Sequence, residues 1–504
     1  MKRKKELIVI LSSLLVIVLS VSVAYFTIKI LGTEKDITVT AADLKVTFTS
    51  GSGTINGTSI EPGWNSGENT FTVKNESNGT YNYNIVIKDL VNTFVTTGFL
   101  QYKITSTDGG YNMTDFADVP KSSAKTDTVL AKNISLAKGA THTYKIVINY
   151  NNSDNVDQSA DMGKTLSGKI FITKASNPTL ASKLLEDNPT ISTRTDFSTP
   201  FTTNTANTLY KATENGTDVY YFAGQDTTST PINNWVKFGK NSSNQDLYWR
   251  IIRTNSDGGV RLLYHGTSTT ATDAHIGLSA FNTNNDSPKY VGYMYGDTDA
   301  TLEEARTNTN DSTIKAYIDN WYANNFTSYT NYLSNDAVYC NDRELASGAS
   351  YSTTEGFNFK AYDRLETNKT PTYDCTNDND KFTVDASSGN GKLTYPIALM
   401  TADEIAYAGG VIGTNAPMWY YTNSSLESST GSTWWWSLSP HYWDGDSAYS
   451  GIVNGEHDPG RLYVNYVNRP RGVRPAVSLK ACIKYRTGNG TSETPYEIVE
   501  NGGC

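Results

Sequence analysis

The residues best suited to chemistry lie in one stretch near the C-terminus, between Trp434 and Leu479. Aromatic rings, arginines, carboxylates and amides are concentrated there, and small turn residues separate them every few positions. Tyrosine, tryptophan and arginine dominate the energetic centres of protein interfaces, and mixtures of tyrosine, serine and asparagine make adaptable binding loops. The composition predicts a contact surface. The alternative is a set of tyrosine-rich turns in a stable β protein.

Within this stretch, some residues are predicted to be structural, and the others are candidate ligand contacts. Leu462 and Val464 alternate with more polar neighbours, which predicts a short strand with one apolar face and one decorated face. The run 473–479 predicts a core strand, with Pro475 suited to a strand start or a sheet edge. The remaining positions are predicted to lie on a turn-rich loop, on the exposed strand face and on the loop after it. The candidate ligand-binding residues are His441, Tyr442, Trp443, Asp444, Asp446, Ser447, Tyr449, Arg461, Tyr463, Asn465, Tyr466, Asn468, Arg469 and Arg471.

Carboxylates in the same stretch allow two other chemistries. Asp444 with Asp446, or Glu456 beside His457 and Asp458, could form an acid–base pair. The same groups could offer oxygen ligands to calcium, but no Asp-x-Asp-x-Asp loop is present. Acidic turn clusters are usually solvated turns. We therefore predict no catalytic residue, no metal and no cofactor, with calcium as the open alternative.

The elements that must position these residues form the second half of the chain, residues 201–504. Residues 208–224 and 247–266 each contain two apolar runs around a turn, and the first of these turns is Asn-Gly, the strongest short hairpin signal. Residues 311–325 have apolar side chains at helical spacing behind an Asp or Ser cap. Thr401 with Glu404 forms a capping box for a second helix that ends at Gly409. These patterns predict an α+β domain.

The preceding exported segment, residues 32–174, predicts an all-β sandwich of the jelly-roll kind. Five segments alternate apolar and polar residues, and Gly, Asn and Ser clusters separate them. Its only histidine, His142, lies in a polar turn-to-strand stretch and is predicted to be a surface residue. Residues 175–200 are predicted to be a linker containing one short helix.

The N-terminus predicts export. Basic residues 2–5 precede an uncharged apolar run, Leu7–Ile28, of 22 residues, which is long enough to cross a bilayer as a helix. We assign residues 1–31 to a signal or membrane-anchor helix, and cleavage after Ala24 is the alternative to a retained anchor. The rest of the chain is then extracellular.

The charge of the chain limits the classes of partner that it can bind. The net charge is −9 and no long basic run follows the N-terminus, so nucleic acid is excluded as a partner.

An even number of cysteines in an exported protein predicts disulfides with three possible connectivities, among which nearest-neighbour pairing is favoured. Zinc is disfavoured because the cysteines lack C-x-x-C spacing. The four residues are Cys340, Cys375, Cys482 and Cys504.

The first half resembles the camelysin/TasA-like family of bacterial surface and biofilm-matrix proteins. The resemblance rests on the apolar segment that ends in Ala24-Tyr-Phe, on Glu61-PGWNSGENTFTVKNES and on Leu136-AKGATHTYKIVINY. It covers about 150 residues. Some relatives were labelled proteases, but this chain has no H-E-x-x-H motif, so that activity is not carried over.

The second half resembles C-type-lectin-fold domains related to formylglycine-generating enzyme, particularly the variable proteins of diversity-generating retroelements. The resemblance rests on Trp435-Trp436 with Ser439-Pro440, on Gly472-VRPAVSL, on Leu247-YWRIIRT and on Ala398-LMTADEIAYAGG. It implies a lectin-like scaffold that displays a diversified patch, here the candidate residues named above.

The implied function is a bacterial cell-surface adhesion protein that binds a protein or glycan on another cell or surface. It would be anchored in the membrane or secreted through the N-terminal helix. Two alternatives remain. One is an enzyme like the one that names the fold, which needs reactive cysteines. The other is a structural fibre subunit that assembles through edge strands.

Overall fold

The computed structural model describes residues 37–41, 44–50, 62–76, 81–161, 164–175, 177–203, 206–500 and 503–504. The predicted N-terminal helix lies outside the described residues. Among the residues that are described, no helix is long and apolar enough to cross a membrane. The chain is mostly β, with several sheets, and it divides into two compact units, Met1–Asn177 and Pro178–Cys504.

The first unit is built from strands in which apolar residues alternate with polar ones. Their tyrosine, isoleucine, valine and threonine content favours the extended backbone. The strands are β1 (Ile37–Ala41), β2 (Leu44–Ser50), β3 (Trp64–Asn65), β4 (Asn69–Asn75), β5 (Tyr81–Asn92), β6 (Leu100–Ser106), β7 (Ala117–Asp118), β8 (Ser122–Leu136), β9 (Thr141–Tyr150) and β10 (Leu166–Lys174).

These strands form two sheets around one core. The larger sheet has the order β1-β2-β4-β9-β6-β7, with β3 also paired to β9, and the smaller sheet has the order β10-β5-β8. All the pairings are antiparallel. Buried residues from both sheets, among them Val73, Ile85, Ile104 and Phe171, pack in a single apolar cluster. The five alternating segments of the sequence are confirmed as β2, β4, β5, β9 and β10.

The sequence-based prediction for His142 was wrong. The imidazole is buried, and its Nδ1 lies 2.9 Å from the hydroxyl of Tyr83, which in turn lies 2.5 Å from the hydroxyl of Tyr144. Burial lowers the pKa of His142, although the nearby Asp108 carboxylate acts in the opposite direction. His142 is two residues from Tyr144 on β9, so both side chains point into the sandwich.

The second unit contains twenty strands, five α-helices and three 3-10 helices (Pro288–Val291, Thr327–Tyr332 and Asp378–Asp380) among its described residues. Its strands are β11 (Thr190–Ser192), β12 (Thr208–Glu214), β13 (Thr217–Tyr221), β14 (Trp235–Lys240), β15 (Asp246–Thr254), β16 (Val260–Tyr264), β17 (Leu278–Ser279), β18 (Met294–Tyr295), β19 (Asn310–Asp311), β20 (Tyr339–Cys340), β21 (Phe357–Asn358), β22 (Lys381–Phe382), β23 (Ile397–Leu399), β24 (Trp435–Trp443), β25 (Ala448–Val453), β26 (Leu462–Tyr466), β27 (Arg471–Gly472), β28 (Pro475–Leu479), β29 (Tyr485–Thr487) and β30 (Tyr496–Ile498). Its helices are α1 (Leu180–Asp187), α2 (Leu302–Ala305), α3 (Thr313–Asn325), α4 (Lys360–Tyr362), which continues as a π-helical turn (Asp363–Thr367), and α5 (Ala402–Tyr407).

Two sheets of this unit matter for the surface described below. The larger one runs β11-β12-β13-β15-β14-β30-β29, with a branch from β15 through β16 and β28 to β23. The other runs β17-β27-β24-β25-β26, with β21 also paired to β24. Tryptophans from both sheets, including Trp249, Trp435 and Trp436, are fully buried in one core.

Local sequence signals are confirmed in this unit. Asn215 and Gly216 both have positive φ, as the turn between β12 and β13 requires. The Ser312 hydroxyl caps α3, and Thr401 and Glu404 form the predicted capping box of α5. Within the predicted linker 175–200, the residues from Pro178 onward belong to the second unit, because α1 buries Leu180 and Leu184 in its core.

Buried ion pairs fix the scaffold where α5 meets the larger sheet. Glu404 of α5 accepts hydrogen bonds from Arg253 of β15 (3.1 Å) and Arg261 of β16 (2.8 Å), and Arg253 also pairs with Glu214 of β12 (2.8 Å). Burial opposes ionisation of Glu214, but the Arg253 guanidinium prevails and lowers its pKa to about 2. Buried pairs of this kind become costly when one partner is removed, so they hold these elements in one arrangement.

Candidate ligand-binding surface

The predicted contact residues are brought together on three neighbouring strands, β24, β25 and β26. In the antiparallel register Tyr442 lies opposite Tyr449, and Tyr449 lies opposite Tyr466. Side chains on directly opposite positions of paired strands share one face of the sheet. The register therefore aligns three tyrosines across the strands.

These three rings form a continuous stack, which we call the tyrosine stack. The ring centroids of Tyr442 and Tyr449 are 4.2 Å apart at an angle of 19°, and those of Tyr449 and Tyr466 are 4.4 Å apart at 38°. Tyr449 is buried between its neighbours, whereas 40% of Tyr466 is exposed. The stack thus crosses from β24 to the edge strand β26, with the half-buried Tyr442 at one end and the exposed Tyr466 at the other.

The turn between β24 and β25 holds the central ring of the stack through hydrogen bonds. The Asp444 carboxylate accepts hydrogen bonds from the Tyr449 hydroxyl (3.0 Å) and from the backbone N–H groups of Asp446 (2.9 Å) and Ser447 (2.6 Å). Burial works against ionisation of Asp444, but these hydrogen bonds prevail and lower its pKa. Burial and the bond to Asp444 raise the pKa of Tyr449 well above its usual value. Asp444 therefore orders the turn and orients Tyr449.

The sequence-based placement of residues 441–449 on a single loop was wrong. His441, Tyr442 and Trp443 end strand β24, and Tyr449 lies in β25, so only the turn 444–447 separates two strands. His441 and Trp443 are buried, as is Ser447. Serine, proline and histidine in the middle of β24 resemble a turn in composition, but irregular pairing on both sides of Pro440 accommodates the proline within the strand.

Arg461 and Tyr463 lie apart from the tyrosine stack, although the sequence grouped them with it. The guanidinium of Arg461 lies over the ring of Tyr463, 4.1 Å from its centroid, and its Nη1 is 3.1 Å from the Asp458 carboxylate. Tyr463 is 39% exposed, and Asn465 is half-buried farther along β26. Ile452, on β25, lies opposite Tyr463, so this residue is on the sheet face opposite to the tyrosine stack.

Arg469 and Arg471, which we call the arginine pair, follow β26 on either side of Pro470. The Arg469 guanidinium lies 5.8 Å from the ring centroid of Tyr466, and the Arg471 guanidinium lies 4.7 Å from that of Trp434. Cation–π contact of this kind favours a fixed guanidinium plane. The pair extends the surface from the end of the tyrosine stack to Trp434.

Asn468 and Ser447 have a structural role that the sequence does not reveal. The Asn468 amide donates to Asn285 (2.9 Å), and the Asn285 amide donates to the Ser447 hydroxyl (3.0 Å). Asn285 is far away in sequence, so no local pattern predicts this bridge. The three polar groups tie the turn 444–447 to the segment after β26.

His441 lies beneath the surface in an apolar environment. Its ring packs edge-on against Tyr362 with centroids 4.3 Å apart, and neither ring nitrogen has a hydrogen-bond partner among the described residues. Burial lowers the pKa of the imidazole to about 3. The imidazole borders a small apolar cavity that is also lined by Tyr362, Leu365, Ile412 and Tyr463.

The carboxylates considered for catalysis or calcium are partly engaged within the protein. Asp458 accepts hydrogen bonds from Asn454 (3.2 Å) and Arg461 (3.1 Å), and Asp444 has the partners described above. No group of three or more potential metal ligands is found in the described part of the chain. Cys340 pairs with Cys375 and Cys482 with Cys504, which are nearest neighbours in sequence.

Comparison with known proteins leaves the chain without a match. No family model, no curated protein and no solved structure matches it.

Proposed function

We propose that the second unit is a ligand-binding module of an exported cell-surface adhesion protein, and that its ligand contacts the tyrosine stack and the arginines beside it. The observation that carries the proposal is the ordered array Tyr442–Tyr449–Tyr466–Arg469 on a hydrogen-bonded sheet. Rigid aromatic side chains with fixed neighbours lose little entropy on binding, which is the property of interface hot spots.

Further support for this function comes from the chemistry of the surface. Tyr466 is among the few large hydrophobic residues that are exposed in the described part of this unit. All four cysteines are in disulfides, which fits an oxidising extracellular compartment and leaves no thiol for formylglycine-type oxidation. These facts favour binding over the enzymatic alternative.

The proposal also covers the fold of the two units and the location of the protein. The resemblance of Gly472-VRPAVSL and its companion motifs suggests a C-type-lectin-like scaffold, with a β-sandwich stalk before it. The apolar run 7–28 would export or anchor the chain at a bacterial surface. Whether residues 441–471 are diversified is decided by sequencing this segment in sibling strains, together with the neighbouring DNA.

The experiment that tests the proposal measures binding of the fluorescently labelled full chain to arrayed cells and extracellular proteins. Tyr466→Ala removes the exposed ring of the tyrosine stack, whereas Tyr463→Ala, on the opposite face of the sheet, and Tyr111→Ala, in the first unit, remove exposed rings as matched controls. We expect the ligands bound by the native chain to lose about tenfold or more in affinity with Tyr466→Ala and to keep their affinity with the two controls. Unchanged binding by folded Tyr466→Ala protein would overturn the proposal.

A further inference from the structure

The arginine pair lacks the partners that arginines on a protein surface usually have. Among the described residues, no carboxylate forms an ion pair or a hydrogen bond with the guanidinium of Arg469 or Arg471. Arg461, by comparison, has the Asp458 carboxylate 3.1 Å from its guanidinium. The Nε of Arg471 is buried without a hydrogen-bond partner among these residues, as is the Nε of Arg461. A buried donor without an acceptor costs free energy, so the hydrogen-bonding capacity of Arg471 is not met within the described protein.

The two guanidiniums are also held in place before any ligand arrives. Arg471 lies over Trp434 and Arg469 lies over Tyr466, and Pro470 between them restricts the backbone. Burial lowers the pKa of Arg471, and the charge of Arg469 lowers it further, so the two cations repel one another in the free protein. An anion bound beside the two guanidiniums would offset that repulsion.

We propose that the arginine pair is an anion subsite that binds a carboxylate of an acidic protein segment. This inference rests on the proposed function, since it names the chemistry of the ligand at the same surface. Arginine presents a planar fork of donors that matches carboxylate geometry, and the charge-assisted bonds are the strong ones in such contacts.

An acidic protein segment fits better than an acidic polysaccharide. A sugar ring binds by lying flat on a free aromatic face, but both exposed tyrosines already have ring contacts. Tyr466 contacts Tyr449 and Arg469, and Tyr463 lies under Arg461. The remaining donors are guanidinium edges, which suit Asp and Glu side chains.

The test uses a fluorescent poly-L-glutamate peptide and the full chain in low-salt buffer, with anisotropy as the readout. Arg469→Gln and Arg471→Gln are each expected to weaken binding about tenfold. Arg486→Gln, which removes an exposed arginine outside the candidate surface, is expected to leave it unchanged. Arg471→Lys keeps the charge but not the fork, so it should give an intermediate loss and serves where the glutamine variant does not fold.

Three outcomes would overturn the inference. They are no binding of poly-L-glutamate to the native chain, equal losses in Arg486→Gln and Arg469→Gln, and tighter binding of oligogalacturonate, which would assign the subsite to acidic polysaccharides. Poly-L-glutamine provides the uncharged control peptide. If the poly-L-glutamate experiment fails but the tyrosine substitution weakens ligand binding as expected, only the anion subsite is refuted. The reverse pattern refutes the proposed ligand surface but leaves the arginine pair as an anion site.

Discussion

The ring of Tyr449 on β25 stacks on the ring of Tyr442 on β24 with centroids 4.2 Å apart, and these residues lie directly opposite each other in the strand register. The same Tyr449 donates its hydroxyl proton to Asp444 in the connecting turn. The Tyr449 side chain thus contacts both the neighbouring strand and the turn that connects the two strands. The stiffness of the proposed ligand surface depends on this arrangement.

Tyr449→Phe should lower the free energy of unfolding while keeping the stack. The variant removes a hydrogen bond to an ionised carboxylate, which contributes about 1.5–3 kcal/mol. Tyr449→Ala should cost more, because it also removes the buried ring between Tyr442 and Tyr466. Urea unfolding followed by tryptophan fluorescence measures both. Equal stability of Tyr449→Phe and the native chain would show that the Asp444 contact contributes nothing.

His441→Phe should leave stability at pH 7 nearly unchanged and should flatten its dependence on pH. The replacement removes two ring nitrogens that have no partner among the described residues. Burial lowers the pKa of His441 to about 3, whereas the unfolded imidazole titrates near its usual value of about 6.5. The unfolded state therefore binds more protons between these values, and stability falls as pH falls, by up to about 1.4 kcal/mol per pH unit.

Urea unfolding at several pH values between 4 and 7 measures how the free energy of unfolding changes with pH. This range overlaps the interval between the folded and unfolded pKa values of His441 to within about one pH unit. His457→Phe is the matched control, since His457 is exposed on the segment between β25 and β26. We expect the slope to decrease in His441→Phe alone. A slope identical to that of the native chain would contradict the neutral buried imidazole.

Asp403→Asn should destabilise the protein far more than Asp342→Asn at pH 7. Arg364 donates to Asp403 with Nε and Nη2, each at 2.7 Å, and to Asp342 with Nη2 alone at 2.5 Å. Asp403 also accepts the backbone N–H of Thr372 at 3.0 Å. Loss of Asp403 breaks a buried pair and should cost about 3–5 kcal/mol.

The two variants should also differ in their response to acid. Burial raises the pKa of Asp342 to about 6 against the pull of Arg364. A raised carboxyl pKa means that the folded state takes up a proton between about 6 and 4, so this group favours folding as pH falls through that window. Asp342→Asn removes the gain. Denaturant unfolding at pH 5 and pH 7 tests the difference, and equal losses in both variants would contradict it.

Replacing either cysteine pair by serine should lower stability by about 3–4 kcal/mol on the chain-entropy account of disulfides. The cysteines are separated by 35 residues in Cys340–Cys375 and by 22 in Cys482–Cys504, so the longer loop should give the slightly larger loss. Peptide mapping under non-reducing conditions checks the pairing, and urea unfolding checks the cost. A free thiol in the native chain would contradict both.

Local patterns predicted much of the secondary structure. Alternation marked β4 and β9, the Asn215-Gly216 dipeptide marked a hairpin, and Thr401 with Glu404 marked the start of α5. In these cases hydrogen bonds and steric preferences within a few residues decide the backbone conformation, so the sequence is sufficient. It was also sufficient to select the stretch in which the tyrosine stack lies.

The tertiary structure decided which of the selected residues are available to a ligand. His441 was expected in an exposed loop but is buried against Tyr362, and Tyr449 was expected to be free but is enclosed by Tyr442 and Tyr466. Residue type does not encode the register of β24, β25 and β26, which depends on irregular pairing around Pro440. Nor does it encode long-range partners such as Asn285. The sequence by itself determined the composition of the surface, whereas burial, stacking and the isolation of the arginine pair arise from contacts between segments far apart in the chain.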